Sequence, residues 1–204
     1  MARQSIPFPI VVSGPSGAGK TTLVDRLVAA DPLIHRSIST TTRAPRPGEK
    51  EGTDYFFVDR PRFDELKQNN ELIEWAEVHG QLYGTRQTYV EEHLAAGFDV
   101  LLNIDIQGGD RVKRMFPGAV MVFILPPSFA DLEQRLRGRG DLAATDFTVR
   151  LAAARVEIGA SARYDYLVVN DDLARAGKDL QAIVIAERCR RERALADTID
   201  RLIE

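Results

Sequence analysis

The sequence has little cysteine, little net charge and no long apolar run, and each absence excludes a class of protein. Its 204 residues include one cysteine, Cys189, which excludes an internal disulfide and a cysteine zinc cluster. The formal net charge of −3 provides no general attraction to nucleic acid. No apolar run reaches the roughly 18 residues of a membrane span, and the N-terminus lacks a signal-peptide core. These features predict a cytoplasmic protein that binds neither nucleic acid nor a membrane.

Apolar runs recur along the chain and predict a parallel β-sheet. The predicted strands are 8–13, 36–39, 99–105, 119–125 and 166–170. They are nearly continuous rather than alternating, as expected for strands covered on both faces. Helical patterns lie between them at 20–30, 86–96, 128–137, 146–159 and 171–194. The alternation predicts a doubly wound α/β fold whose ligands bind at the carboxyl ends of the strands.

Two stretches interrupt this alternation and predict insertions in one core. Residues 38–88 mix Pro, Gly, Thr and aromatic residues around a short helix near Pro61–Asn69, and 128–159 are rich in arginine. The predicted organisation is therefore a core formed by 1–37, 89–127 and 160–204, with appendages at 38–88 and 128–159.

A glycine-rich segment between the first strand and the first helix predicts a nucleoside triphosphate site. The run from Gly14 to Thr21, GPSGAGKT, fits the phosphate-loop pattern GxxxxGK[ST] in its required strand–loop–helix context. Backbone N–H groups and the helix N-terminus bind phosphate oxygens. Lys20 is expected to reach the terminal phosphates and the Thr21 hydroxyl to ligate Mg²⁺.

The first insertion carries candidate ligands for a second phosphate. Arg43 and Arg46 lie three residues apart in a Pro-constrained segment, and guanidinium groups bind phosphate oxygens well. Tyr55 and Tyr83 lie in loop-rich contexts from which a phenol can donate to the same oxygens. Taken one at a time, each is equally compatible with a solvated or half-buried structural role.

Six segments in order resemble the guanylate kinase family: STTTRAPRPGE, EGTDYFF, LIEWAEVHGQLYGT, LNIDIQG, LRGRG and VVNDDL. The resemblance runs from about Phe8 to about Glu187. It implies a P-loop NTPase-type fold, with a parallel five-stranded sheet flanked by helices, an inserted GMP-binding domain and a lid. It also implies transfer of a phosphoryl group from ATP to GMP, or dGMP, with Mg²⁺.

By this resemblance, the GMP-binding residues are Ser39, Arg43, Arg46, Tyr55, Glu74, Tyr83, Thr85 and Asp105. The first phosphate contacts are Arg43, Arg46, Tyr55 and Tyr83, and the guanine contacts are Glu74, Ser39 and Thr85. Asp105 either contacts Mg²⁺ through water or accepts from the guanine amino group, and the sequence does not separate these roles. Many family members have an acid where this chain has Asn103.

The resemblance also assigns the ATP side. The ATP-binding residues are Gly14, Pro15, Ser16, Gly17, Ala18, Gly19, Lys20, Thr21, Thr22, Arg135, Arg139 and Asn170. The catalytic set is Lys20, Arg43, Arg135, Arg139 and Arg150, and the metal contacts are Thr21 and Asp105. The resemblance leaves out Arg137, which is more typical of a solvated basic helix. The histidines are expected to have structural or surface roles, since a phosphate acceptor that is already ionised needs no general base.

Three alternatives stay open at this stage. A related P-loop kinase acting on a sugar phosphate such as ribose 1,5-bisphosphate would not need the Ser39, Glu74 and Thr85 set. A non-catalytic scaffold of the same fold would not need an intact phosphate loop. A nucleic-acid role would depend on the arginines at 188–193, which alternate with Glu187 and Glu192 and are more typical of a solvated helix face.

Overall fold

The computed structural model describes residues 5–78, 80–138 and 144–194. The strands are β1 (Pro9–Ser13), β2 (Ile34–Arg36), β3 (Ser39–Thr41), β4 (Phe56–Phe57), β5 (Leu72–Val78), β6 (Gln81–Arg86), β7 (Asp99–Asn103), β8 (Val120–Leu125) and β9 (Tyr166–Val169). The helices are α1 (Lys20–Ala30), α2 (Arg60–Gln68), α3 (Gln87–Ala95), α4 (Ile106–Met115), α5 (Phe129–Arg137), α6 (Ala144–Gly159) and α7 (Leu173–Arg188). Within these ranges, no helix is long and apolar enough to cross a membrane.

The core is a five-stranded parallel sheet in the order β2-β7-β1-β8-β9, which confirms the predicted fold class. Every residue of β1 is buried. Ile10 and Val12 contribute to one apolar cluster and Val11 to another, because successive side chains of a strand point to opposite faces. Helices cover both clusters, which explains why the apolar runs are continuous.

Parallel strands place their carboxyl ends at one edge, and this edge carries the predicted chemistry. The phosphate loop follows β1, Asn103 ends β7 and Asn170 follows β9. The Ser13 hydroxyl at the end of β1 donates a 2.8 Å hydrogen bond to the Ile104 carbonyl, which links two of these strand ends.

Two elements differ from the sequence-based expectations. The strand predicted at 36–39 is wrong: Ile34–Arg36 pairs with β7 in the core, whereas Ser39–Thr41 belongs to a second sheet. The helix α4 was not predicted, since Gly108 and Gly109 lower helical propensity. Both glycines are buried under tight contacts, and a Cβ at Gly109 would lie 2.9 Å from the Tyr164 hydroxyl oxygen.

Residues 39–86 contain a second sheet in the order β4-β3-β6-β5, with β6 antiparallel to both β3 and β5. The short helix predicted near Pro61–Asn69 is α2, which begins after Asp59, whose side chain accepts from the Arg62 N–H. Phe63 and Leu66 are its buried residues.

The arginine-rich segment contains α5 and α6, which share a small apolar cluster. Leu132 and Leu136 of α5 pack with Ala154 of α6. The N-terminus of α5 confirms the predicted capping pattern, because the Ser128 side chain accepts from the Asp131 N–H.

The last helix is shorter than the predicted 171–194, and its basic residues are not a solvated face. α7 ends at Arg188, and a 3₁₀ turn follows at Arg191–Arg193. Arg188 pairs with Asp31 at 2.6 Å and with Asp99 at 2.8 Å, and Asp99 is fully buried. Arg193 pairs with the buried Glu187 at 3.0 Å. Both arginines are largely buried in ion pairs with buried carboxylates, so the predicted solvated face is wrong for Arg188 and Arg193.

Candidate active site

The phosphate loop lies between β1 and α1 and depends on glycine at two positions. Gly14 has a φ of 146°, and a Cβ there would lie 2.3 Å from the Ile124 carbonyl oxygen. Gly19 has a φ of 91°, and a Cβ there would lie 2.2 Å from Nδ2 of Asn170. No other residue fits either position without displacing the neighbouring chain.

The N-terminus of α1 is open to an anion. Gly19 occupies its N-cap and no side chain caps the helix, so N–H groups of its first turn remain available. The Lys20 ammonium donates to the carbonyls of Gly14 at 2.5 Å and Pro15 at 3.0 Å. The lysine therefore lies back over the loop whose ligand it is expected to contact.

A cavity of about 370 Å³ lies in front of this loop. Its polar lining includes Lys20, Thr21, Asn103, Asp105 and Glu157. The Asp105 carboxylate also caps α4 by accepting from the Gly108 N–H at 2.7 Å. The cavity thus combines anion-binding backbone with an ammonium group and carboxylates, a combination suited to a metal-bound polyphosphate.

A second cavity of about 370 Å³ is also lined by Gly17 and Gly19. Arg135 of α5 and Asn170 after β9 line it together, and Arg135 donates to the Asn170 carbonyl at 3.0 Å. The Asn170 amide donates to the Ala18 carbonyl at 2.7 Å. Asn170 therefore connects the phosphate loop to α5.

Three predicted residues form one row across the second sheet. Thr85 lies opposite Ser39 in the β3–β6 register and opposite Glu74 in the β5–β6 register. The Thr85 hydroxyl donates to the Glu74 carboxylate at 2.7 Å. Burial raises the pKa of Glu74, while the bond from Thr85 opposes the rise. The nearby Asp105 carboxylate raises the pKa further. The row lies against the start of α4, since a Cβ at Gly108 would lie 3.2 Å from Cγ of Glu74.

Two of the other predicted phosphate contacts, Tyr55 and Tyr83, lie close to Arg43. Its guanidinium lies 5.2 Å from the centre of the Tyr55 ring, and the Tyr55 and Tyr83 rings meet edge-on at 6.0 Å. Glu49 accepts from Nη2 of Arg43 at 2.7 and 2.9 Å and from the Arg46 backbone N–H at 2.7 Å. The Arg46 side chain is exposed. The guanidinium of Arg43 and two phenols therefore converge, with Glu49 holding Arg43 in place.

Comparison with known proteins identifies the family. The family model described as guanylate kinase matches residues 7–187. The guanylate kinase of Geobacter sulfurreducens is 46% identical over 195 residues, covering 96% of this chain and 95% of the relative. That of Myxococcus xanthus is 50% identical over 185 residues, covering 90% and 88%.

The chain belongs to the guanylate kinase family.

A solved structure agrees with this assignment. The crystal structure of guanylate kinase from Anaplasma phagocytophilum matches with a TM-score of 0.72 at 36% identity, covering 95% of this chain and 93% of that one. Membership in the guanylate kinase family makes this chain a P-loop kinase, which confirms the activity class that the resemblance implied.

The lid arginines of the guanylate kinase resemblance are described only in part. Arg135 reaches the second cavity, and Arg150 lies on α6. Arg139 lies outside the described residues. Arg137 pairs with Glu133 at 2.6 Å, and its guanidinium lies 4.7 Å from the centre of the Phe147 ring.

Two carboxylates at the site were missed by sequence reasoning. Glu49 lies in the quoted segment STTTRAPRPGE, but its contact with Arg43 depends on how the loop folds back. Glu157 is on α6, and its spacing of seven from Arg150 was the available signal, since positions two turns apart share a helix face.

Proposed function

We propose that this chain transfers the γ-phosphoryl group of ATP to GMP, giving ADP and GDP, with dGMP as an alternative acceptor. The observation that carries the proposal is the row of Ser39, Thr85 and Glu74 beside a complete phosphate loop. A sugar-phosphate kinase has no use for a partly buried, oriented carboxylate at that position.

The Glu74 carboxylate recognises guanine by accepting hydrogen bonds from donors on the base. Guanine presents N1–H and the N2 amino group on one edge, and a carboxylate accepts from both. Adenine presents an unprotonated nitrogen at N1, which would face the negative charge of Glu74. Recognition therefore combines attraction for guanine with repulsion of adenine. Ser39 and Thr85 contribute hydroxyls from the neighbouring strands.

The GMP phosphate binds to Arg43, Arg46, Tyr55 and Tyr83. Arg43 is preorganised by Glu49, and the phenols of Tyr55 and Tyr83 can donate to phosphate oxygens from the same side. An acceptor phosphate near neutral pH is already ionised, so the transfer needs positioning and positive charge rather than a general base.

ATP binds along residues 14–22, with Lys20 at the terminal phosphates. Arg135 and Asn170 hold the nucleotide from the second cavity, and Arg139 and Arg150 complete the lid. The lid at 128–159 closes over the core (1–37, 89–127, 160–204), while 38–88 holds GMP. Closure excludes water and so suppresses hydrolysis of ATP.

Magnesium fits this site together with ATP. Among the described residues, no group of three or more His, Cys, Asp or Glu side chains is arranged to hold a metal. Mg²⁺ in phosphoryl-transfer sites is held by one or two protein groups plus phosphates and waters. Thr21 and Asp105 would hold it here, Asp105 through water. The bound ion supplies neutralisation of the phosphate charge.

The cellular role follows from the reaction. A cytoplasmic enzyme of purine metabolism with this activity recycles GMP and supplies precursors of GTP and dGTP.

The test is ADP release from Mg·ATP with GMP, dGMP, AMP, CMP, UMP or no acceptor. We expect fast release with GMP, slower release with dGMP, and background release otherwise. Lys20→Ala is the matched inactive variant, with turnover lower by roughly 10³-fold or more. Equal release with AMP and GMP, or near-normal turnover of Lys20→Ala, would contradict the proposal.

A further inference from the structure

Glu157 reaches the phosphate-loop cavity from a distant part of the chain. It lies near the C-terminal end of α6, yet it lines the same cavity as Lys20, Thr21 and Asp105. No role was expected for it from the sequence, and neither proposed substrate needs a further carboxylate at this point. Its side chain is half-buried, so its charge acts on the cavity with reduced solvent screening.

The packing of α6 explains why Glu157 faces the cavity. Ala154, three residues earlier on the same helix face, is 2% exposed and packs against Leu132 and Leu136 of α5. This contact fixes the rotation of α6 about its axis. Arg150 lies a further four residues back on that face, so one side of the helix carries a cation and an anion two turns apart.

The electrostatic neighbours of Glu157 belong to the cleft. Burial raises the pKa of its carboxyl, the Lys20 ammonium opposes the rise, and Asp105 adds to it. The cavity therefore holds two carboxylates near one lysine ammonium. The triphosphate of metal-free ATP carries several negative charges at neutral pH, and these carboxylates repel it. A divalent cation on the phosphates offsets part of that charge and therefore weakens the repulsion.

We propose that Glu157 is a specificity-determining residue that makes the cleft select ATP carrying a divalent cation over metal-free ATP. The inference rests on the proposed function only in that the cleft binds ATP. Glu157 acts through its charge and takes part in no bond-making step. The charge of Glu157 therefore keeps metal-free ATP, which cannot react, from occupying the cleft.

The experiment is calorimetric titration with ATP, once with excess Mg²⁺ and once with EDTA, for wild type and two variants. Glu157→Gln removes the charge at nearly constant shape. Glu133→Gln is the matched control, because Glu133 is in the same lid but its carboxylate pairs with Arg137. We expect Glu157→Gln to bind metal-free ATP more tightly and Mg·ATP about as wild type does. The Kd of metal-free ATP divided by the Kd of Mg·ATP should therefore fall about tenfold. Glu133→Gln should leave the ratio unchanged.

The contrary outcomes are distinct. An unchanged ratio of the two Kd values would overturn the proposal. If both Kd values rise by the same factor, Glu157 has a structural role instead. If Glu157→Gln does not fold, Glu157→Ala is measured in its place with the same expected ratio. The titrations contain ATP and no GMP, so the ratio of the two Kd values does not depend on the acceptor. Failure of wild type to phosphorylate GMP would therefore count against the proposed function and not against the role of Glu157.

Discussion

The Thr85 hydroxyl donates a 2.7 Å hydrogen bond to Oε1 of Glu74 from the adjacent antiparallel strand. A carboxylate oxygen has two lone pairs, so this bond orients the carboxylate and still leaves acceptor capacity on both oxygens. Thr85 also lies opposite Ser39 of β3, so the row of Glu74 and Thr85 continues onto that strand. A ligand that donates twice along one edge therefore meets a fixed acceptor rather than a mobile side chain.

Replacing Glu74 with Gln should change recognition of GMP and leave ATP almost untouched. Gln keeps one acceptor oxygen but places an amino group where guanine also presents a donor. We expect the KM for GMP to rise roughly 10²-fold and the KM for ATP to stay within about twofold. Steady-state kinetics with each substrate varied in turn measures both. Glu77→Gln, an exposed position on the same strand, is the control, and equal effects on both substrates would show that Glu74 does not read guanine.

The same variant should be more stable than wild type at neutral pH. Because burial raises the pKa of Glu74 above 4.5, the folded state binds the proton more tightly than the unfolded state. The ionised carboxylate therefore lowers the free energy of unfolding above the folded pKa, and this loss disappears below the unfolded pKa. Thermal unfolding of Glu74→Gln should show a higher Tm than wild type at pH 7, with the difference shrinking as the pH falls through the raised folded pKa and absent below about pH 4.5. A difference that is constant with pH would contradict the electrostatic explanation.

Removing Glu49 should weaken binding of the acceptor phosphate. Its carboxylate orients Arg43 through two contacts and holds the Arg46 backbone. Loss of its negative charge alone would favour an anion, but a free guanidinium loses its fixed geometry, and we expect this loss to dominate. Glu49→Ala should raise the KM for GMP about tenfold with little change for ATP.

Glu65→Ala is the control for this experiment, because Glu65 forms an exposed ion pair on α2. A lower KM for GMP in Glu49→Ala would instead identify Glu49 as a competitor of the phosphate for Arg43.

Replacing Arg188 with Ala should destabilise the fold without a direct effect on the site. Arg188 pairs with Asp31 and with Asp99, and the latter is fully buried. Its loss leaves a buried carboxylate without its cation, which costs about 3 kcal/mol of unfolding free energy. Urea unfolding measures the change, and Arg191→Ala, at an exposed position, should change it by less than about 0.5 kcal/mol. A loss for Arg188→Ala no larger than that of the control would show that the pair with Asp99 is not stabilising.

The sequence predicted the elements whose signals are local. The phosphate loop needs glycine at fixed positions for backbone reasons, so its pattern is readable along the chain. The five-stranded core is readable because strands buried on both faces must be apolar throughout. The helix α4 was missed because Gly108 and Gly109 read as helix breakers, whereas close packing against Glu74 and Tyr164 requires them.

The sequence by itself determined the α/β class, the phosphate loop and, through its motifs, the family. Only the tertiary structure decided which carboxylates lie at the site. Glu49 reaches Arg43 because a loop folds back, and Glu157 reaches the cavity lined by Lys20 because α6 packs on α5. Arg188 is a core ion-pair residue rather than a solvated one because Asp99 lies on a buried strand 89 residues away. Such contacts depend on distances between remote segments, and no local pattern of residues encodes those distances.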